Sequence, residues 1–213
     1  MVELKVLKSR EDWLKERGRR IGGSDAACLI GLNSWKSNVQ LFREKMHPEN
    51  VKEMDNEAMA YGREAEPLLR RLFELDHPDH KINYVENNLW LNDKYPFAHA
   101  SLDGWTSRDE YCGGVLEIKT ATIRSRMQAQ EWEGRIPNNY YCQVLWYMMV
   151  TEAQYAYVTA LLRRECGDSI IRTHFIERNK QVEGDIEILK NSAERFWGNL
   201  QEGHEPALIL PNV

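Results

Sequence analysis

At 213 residues the chain is long enough for one well-cored domain and short for two, so residues 1–213 are expected to form a single domain. Its 42% hydrophobic and 29% charged residues are ordinary for a globular protein. No apolar run approaches the ~20 residues that span a bilayer, and residues 1–20 hold no apolar signal core, so a cytoplasmic protein is expected, not a membrane or secreted one. A net charge of −5 does not advertise a nucleic-acid binder, but the cations cluster, first at Lys15, Arg17, Arg19 and Arg20, and local placement decides contact.

In chain order, residues 11–17 predict a short helix ended by Gly18. Gly22-Gly23-Ser24-Asp25 followed by Ala26-Ala27-Cys28-Leu29-Ile30-Gly31 predicts a turn, a Ser or Asp N-cap and a short helix stopped by Gly31. Residues 38–46 read as a helix closed by His47-Pro48. A longer helix is expected over 54–75, with Ala58, Tyr61, Ala65, Leu68 and Leu72 as its buried stripe. Strands are expected at 82–91, 97–105 and 115–120, a helix at 138–150, strands at 155–162 and 169–176, and a helix at 181–200. That order implies an α/β or α+β domain around a mixed sheet. Cys28, Cys112, Cys142 and Cys166 lack the spacings of zinc or iron–sulfur ligands and read as buried small apolar residues. The six histidines form no HxH or HxxxH pair.

On Val115-Leu116-Glu117-Ile118-Lys119-Thr120, strand alternation puts Glu117 and Lys119 on one face and Leu116 and Ile118 on the other, toward the core. Alone, the pair reads as a solvent-facing edge. Ahead of it, Ala98-His99-Ala100-Ser101-Leu102-Asp103-Gly104 is a small-residue strand on which Ser101 and Asp103 share a face, with Gly104 permitting a sharp turn. A hairpin-like connection through Gly113-Gly114 would bring Asp103 and Glu117 to one end of a sheet, where carboxylates clamp a hard cation. Lys119 would stand beside them to polarise a water or stabilise charge on a phosphate. A plain hairpin with a turn aspartate is the alternative. Gly22, Gly23 and Ser24 at a helix start would offer free N–H groups to a phosphate, with the Ser24 hydroxyl and the Arg17 guanidinium added; an ordinary glycine turn with an N-cap is the other reading.

Five segments thus stand in order: Arg17 with Ile21-Gly22-Gly23-Ser24-Asp25-Ala26-Ala27; Tyr61-Gly62-Arg63-Glu64-Ala65-Glu66-Pro67; Ser101-Leu102-Asp103-Gly104; Leu116-Glu117-Ile118-Lys119-Thr120; and Tyr141-Cys142-Gln143-Val144-Leu145-Trp146-Tyr147. Together they resemble the lambda-exonuclease-like family, particularly its YqaJ-type viral recombinase branch, within the PD-(D/E)xK nuclease superfamily. The resemblance covers residues 17–150, with strands and a helix following over 151–213. Leu102 replaces the superfamily's proline, which touches turn geometry more than metal chemistry.

The resemblance implies a restriction-endonuclease-like core, a central mixed β-sheet flanked by helices. It implies Asp103, Glu117 and the main-chain carbonyl of Ile118 as ligands of Mg²⁺, with Mn²⁺ as a substitute. It also implies Lys119 as the catalytic lysine, Glu66 as a further acid, Gln143 as the family's glutamine, and Arg17, Ser24 and Ser101 at the 5′-terminal phosphate. Without it, Glu66 reads equally as half of an Arg63-type ion pair and Gln143 as a helix-face glutamine. Asp93 matches an acidic position of the family and equally a plain turn; His99 either lines a DNA path or packs as a hydrogen-bonded histidine. The implied activity is a 5′-to-3′ double-stranded DNA exonuclease that leaves 3′ overhangs for recombination. The implied setting is a phage- or prophage-encoded homotrimer in a bacterial host, working with a single-strand annealing protein. An endonuclease of the same superfamily and a catalytically silent DNA-end-binding module are the alternatives.

Overall fold

The computed structural model describes residues 1–51, 56–107, 112–164 and 167–210. Five strands build the main sheet in the order β2 (Lys81–Asn83), β4 (Gly104–Ser107), β5 (Gly113–Ile123), β6 (Tyr155–Arg164) and β7 (Ser169–Glu177). Neighbours are antiparallel except β5 and β6, which run parallel. Parallel neighbours need a crossover, and helix α6 (Asn138–Thr151) lies on the chain between them. A second, two-stranded sheet pairs β1 (Val2–Val6) with β3 (Asn88–Asn92). The expected mixed sheet flanked by helices is therefore the observed architecture.

Helix α4 (Glu57–Asp76) covers one face of the sheet. Its Ala65, Leu69 and Phe73 pack with Leu116, Ile118, Tyr155 and Tyr157. The other face carries α6, which is apolar nearly all round and buried from Val144 to Thr151. A helix of that character needs partners on every side. It finds them in the sheet, in the short α2 (Gly23–Ala26) and in the C-terminal α7 (Lys180–Glu202). Helix α1 (Arg10–Gly18) starts at Ser9, whose hydroxyl accepts the Asp12 N–H at 3.1 Å; α3 (Asn38–Met46) starts at Ser37, which caps Gln40 in the same way. A one-turn α5 (Arg126–Gln130) follows β5. No described helix is long and apolar enough to cross a membrane.

Several expectations are corrected. The expected strand 82–91 is two strands in different sheets, broken where Asn87 takes φ 56°, a left-handed turn that asparagine tolerates. The expected strand 97–105 is mostly irregular: only bridges at Ala98 and Ala100 precede β4. The N-cap of α2 is Gly22, not Ser24 or Asp25, and the chain tightens into a 3-10 turn over Ala27–Ile30 before Gly31 stops it at φ 74°. The buried stripe of α4 is Ala65, Leu69 and Phe73; Leu68 is 72% exposed, and Ala58, Tyr61 and Leu72 also face outward. The apolar arc of this helix is wider than one stripe, and the sheet selects which edge is covered. The expected start at 54 and Cys166 lie outside the described residues.

Gly113 and Gly114 do not form the turn expected of them. They are strand residues opposite Ser107 and Thr106. A Cβ on Gly113 would lie 2.0 Å from the Trp105 ring, and one on Gly114 would lie 2.2 Å from the Tyr155 ring. Two aromatic rings lying against the strand exclude any side chain there. Gly114→Val should therefore lower unfolding free energy by about 1–3 kcal/mol or more. Gly184→Ala, in open space within α7, should raise it by about 0.5–1 kcal/mol. Urea denaturation of both variants checks the pair.

Candidate active site

The site forms where the irregular segment before β4 meets the middle of β5. Gly104 pairs with Leu116, so Asp103 stands one residue beyond the ladder, opposite Glu117. Asn88 fixes that position. Its Oδ1 accepts the Leu102 N–H at 2.8 Å and its Nδ2 donates to the Leu102 carbonyl at 2.9 Å, so one side chain stands in for a missing strand partner. The Asp103 carboxylate then accepts the Ile118 N–H at 2.8 Å. Gly104 is in the strand, packed under Ile82 and Leu116, and is not the sharp turn expected of it.

Glu117 is 2% exposed, beneath α6. Lys119 Nζ lies 2.5 Å from its Oε1, 3.0 Å from Gln143 Oε1, and 4.7 Å from the centre of the Tyr140 ring. Gln143 Nε2 donates to Glu117 Oε1 at 2.8 Å and to the Tyr147 hydroxyl at 2.9 Å. Gln143 is thus no solvent-facing helix glutamine. It bridges the acid and the ammonium and fixes both.

Glu66 approaches from α4, where it is paired with Arg70, not with Arg63. Arg70 Nε also donates to the Asp103 carbonyl at 2.6 Å, and its guanidinium lies 3.5 Å from the centre of the Tyr84 ring. One arginine therefore holds two of the acids. Sequence reasoning missed Arg70 and Tyr147. The i,i+4 spacing from Glu66 and the QxxxY spacing on α6 are signals that would have pointed to them.

Burial governs the charge state. It raises Glu117 to about 8, helped by the Asp103 charge, and raises Glu66 to about 7, again with Asp103 adding. Asp103 is raised by burial too, against the pull of Lys119, the Ile118 N–H and Arg70. Burial works to lower Lys119, but Glu117 and Asp103 outweigh it and the ammonium is held. Glu117 Oε2 is buried without a hydrogen-bond partner. Acids lifted by burial and one orphaned carboxylate oxygen are what an oxygen-coordinated cation would relieve, so the residues present fit Mg²⁺. Among the described residues no three His, Cys, Asp or Glu side chains form a ready-made cage. A Mg²⁺ ion would draw further ligands from main chain, water and substrate, as this ion commonly does.

Arg17 and Ser24 are not among these contacts; they line a neighbouring basin of about 850 Å³ that also includes Gly22, Lys36, Lys45 and His99. Arg17 rests 4.1 Å above the Trp13 ring, and among the described residues no carboxylate pairs with it. The Gly22 N–H is taken by buried Asp25 at 3.1 Å, so it is not free as expected. Burial raises Asp25, but Lys45 and Lys36 outweigh it and hold it ionised below its ordinary value. His99 packs its ring against Gly22; burial, then Arg17 and Lys45, keep it well below its ordinary value and neutral. Its Nδ1 lacks a partner, so it is packed but not fully hydrogen-bonded. Ser101 keeps a buried hydroxyl without a partner. Asp93 is far more exposed, at 85%, and pairs with the N-terminal amine. Cys28 and Cys142 are buried, with thiols pushed up to about 12 and about 11 by that burial.

A YqaJ-like viral recombinase domain signature matches residues 12–154. The chain belongs to this family. An uncharacterised protein YqaJ of Bacillus subtilis is 31% identical over 204 residues, 94% of this chain; the chain spans 59% of that relative's length. Among solved structures, an alkaline exonuclease of Laribacter hongkongensis superposes with a TM-score of 0.68 at 19% identity, over 91% of this chain and 93% of that one. A phage-related exonuclease of Haemophilus somnus gives 0.57 at 14% identity, over 86% and 96%. At these identities the likeness to both is one of fold. Within the YqaJ-like domain lie all nine residues singled out from the sequence, from Arg17 to Gln143.

In the metal-free protein, carboxyl-resolved NMR should show Glu117 titrating near pH 8, and Asp103→Asn should move that midpoint down by removing the neighbouring charge. A folded-state value raised above the unfolded one means stability fully present below the ordinary carboxylate range and lost as pH rises through about 8. A Glu117 midpoint near 4 in the native protein would contradict the burial argument.

Proposed function

We propose that this chain is a Mg²⁺-dependent nuclease that hydrolyses DNA phosphodiesters, acting as a 5′-to-3′ exonuclease on duplex ends and leaving 3′ single-stranded overhangs. The observation that carries this reading is the convergence of Asp103, Glu117, Lys119, Gln143 and Glu66 beside the middle of β5. Family membership and the fold shared with two exonucleases support it. Asp103 and Glu117 would hold the ion, with the Ile118 carbonyl as a further ligand and Glu66 nearby. Mg²⁺ there, or Mn²⁺ in its place, supplies a Lewis acid that polarises a phosphate oxygen and lowers the pKa of a bound water.

The chain's own groups do the rest. Lys119 stays charged and directed by Glu117, Gln143 and Tyr140, available to a water or to phosphate charge. Gln143 keeps both partners in place. The nearby basin offers Arg17 and Ser24 to a terminal phosphate, and Ser101 contributes an unpartnered hydroxyl. The same reading includes a homotrimer acting beside a single-strand annealing protein, which native mass measurement and co-purification address.

Asp103→Asn, Glu117→Gln and Lys119→Ala should each reduce Mg²⁺-dependent cleavage of end-labelled linear duplex by roughly 10²- to 10³-fold or more, with circular dichroism unchanged. A covalently closed circle should resist digestion; cutting it would favour an endonuclease. Arg17→Ala should lower the preference for 5′-phosphorylated over 5′-hydroxyl ends by roughly 10- to 100-fold, the scale of a hydrogen bond to a charged group. An unchanged ratio removes Arg17 from the phosphate site.

A further inference from the structure

The chain has seven tryptophans, and six are mostly or wholly buried. Trp35 is 86% exposed. Its backbone is nonetheless pinned. Asn33 Oδ1 accepts the Trp35 N–H at 2.8 Å and the Lys36 N–H at 3.0 Å. On one side, Leu32 packs against the core and donates to the Ala27 carbonyl at 2.9 Å. On the other, Ser37 caps α3. A large ring is thus held out into water by a preorganised turn, and ordering it on binding would cost little further entropy.

Its position is as informative as its exposure. Lys36, the next residue, lines the basin of Arg17 and Ser24. Ser34, the preceding one, lines a second cavity of about 260 Å³ with Arg135, Asn138 and Asn139. Asn139 leads directly into Tyr140, whose ring covers the Lys119 ammonium. Trp35 therefore lies between a residue that lines the basin and one that lines a cavity reaching the start of α6, next along the chain to Tyr140. Tryptophans that anchor protein partners sit in well-packed pockets that exclude water. Here Lys36 is turned to Glu44 and Asp25, and the cavity at Ser34 mixes Arg135, Asn138, Asn139 and Glu131 with Leu32, Ile136 and Pro137, so the ring stands in solvent beside a largely polar surface, where aromatic rings can stack on bases.

We propose that Trp35 is a stacking platform for a nucleobase at a DNA end whose phosphate enters the adjoining basin. This rests on the nuclease reading above. The test uses duplexes with 2-aminopurine at the terminal position or at an interior one, bound in Ca²⁺ to hold turnover back. Wild-type protein should quench the terminal probe and not the interior one; Trp35→Ala should lose that quenching and Trp35→Phe should keep part of it. With Mg²⁺, Trp35→Ala should raise KM for blunt duplex by roughly 10- to 100-fold with kcat little changed, the scale of one stacked base. The melting temperature should not move, since the ring is in solvent. Equal quenching and equal KM in Trp35→Ala would overturn the stacking role while leaving the nuclease intact. Wild-type quenching of terminal probes without any Mg²⁺-dependent cleavage would keep the platform and overturn the nuclease.

Discussion

Two carboxyl groups, Asp103 and Glu117, stand opposite each other just before β4, Glu117 buried and Asp103 half-buried. Bringing like charges together in a buried place raises the free energy of the ionised pair twice, once by desolvation and once by repulsion. Much of the surrounding architecture is an answer to that conflict. The Ile118 N–H and Arg70 steady Asp103, while Lys119 and Gln143 steady Glu117. The answer is incomplete, because one Glu117 oxygen has no partner. A divalent cation held there, as proposed, would complete it and would tie the stability of this corner to its chemistry.

The helices on the two faces of the sheet reach this corner from opposite sides. From α4 come Glu66 and Arg70; from α6 come Tyr140, Gln143 and Tyr147. They converge because the chain before β4 is not a regular strand, which leaves the β4 side of β5 without a strand partner beyond Leu116, while β6 pairs along its other side. Asn88 makes that irregularity tolerable by binding Leu102 as a strand would. Its own carbonyl accepts the Trp13 Nε1–H at 2.9 Å, and Trp13 carries Arg17 on its ring. A short chain of contacts thus runs from the arginine of the basin to the acid at the centre.

Much of this was legible in the residues. Period-two alternation on 115–120 placed Glu117 and Lys119 together, and helical spacing located α3, α6 and α7 within a few residues. What the pattern did not reveal depends on tertiary contacts. Which edge of α4's broad apolar arc is covered depends on the sheet, so Leu68 and Leu72 face outward against expectation, and the ion pair that was one of two readings of Glu66 is made by Arg70 and not by Arg63. Gly113 and Gly114 look like a turn in sequence, because the rings of Trp105 and Tyr155 that exclude their side chains come from other strands. The break at Asn87 was signalled only by an asparagine pair, and the capping of Gly22 by Asp25 needed the two lysines that keep Asp25 ionised.

Tyr147 joins two parts of the molecule that sequence separates by more than a hundred residues. Its hydroxyl serves Gln143, and its ring fills the space where a side chain at position 23 would begin, 2.3 Å from that Cβ. Glycine 23 and tyrosine 147 are therefore one design decision written in two places. A relative that carries even a methyl group at the first position must give up the ring at the second, and with it the hydroxyl that steadies its glutamine.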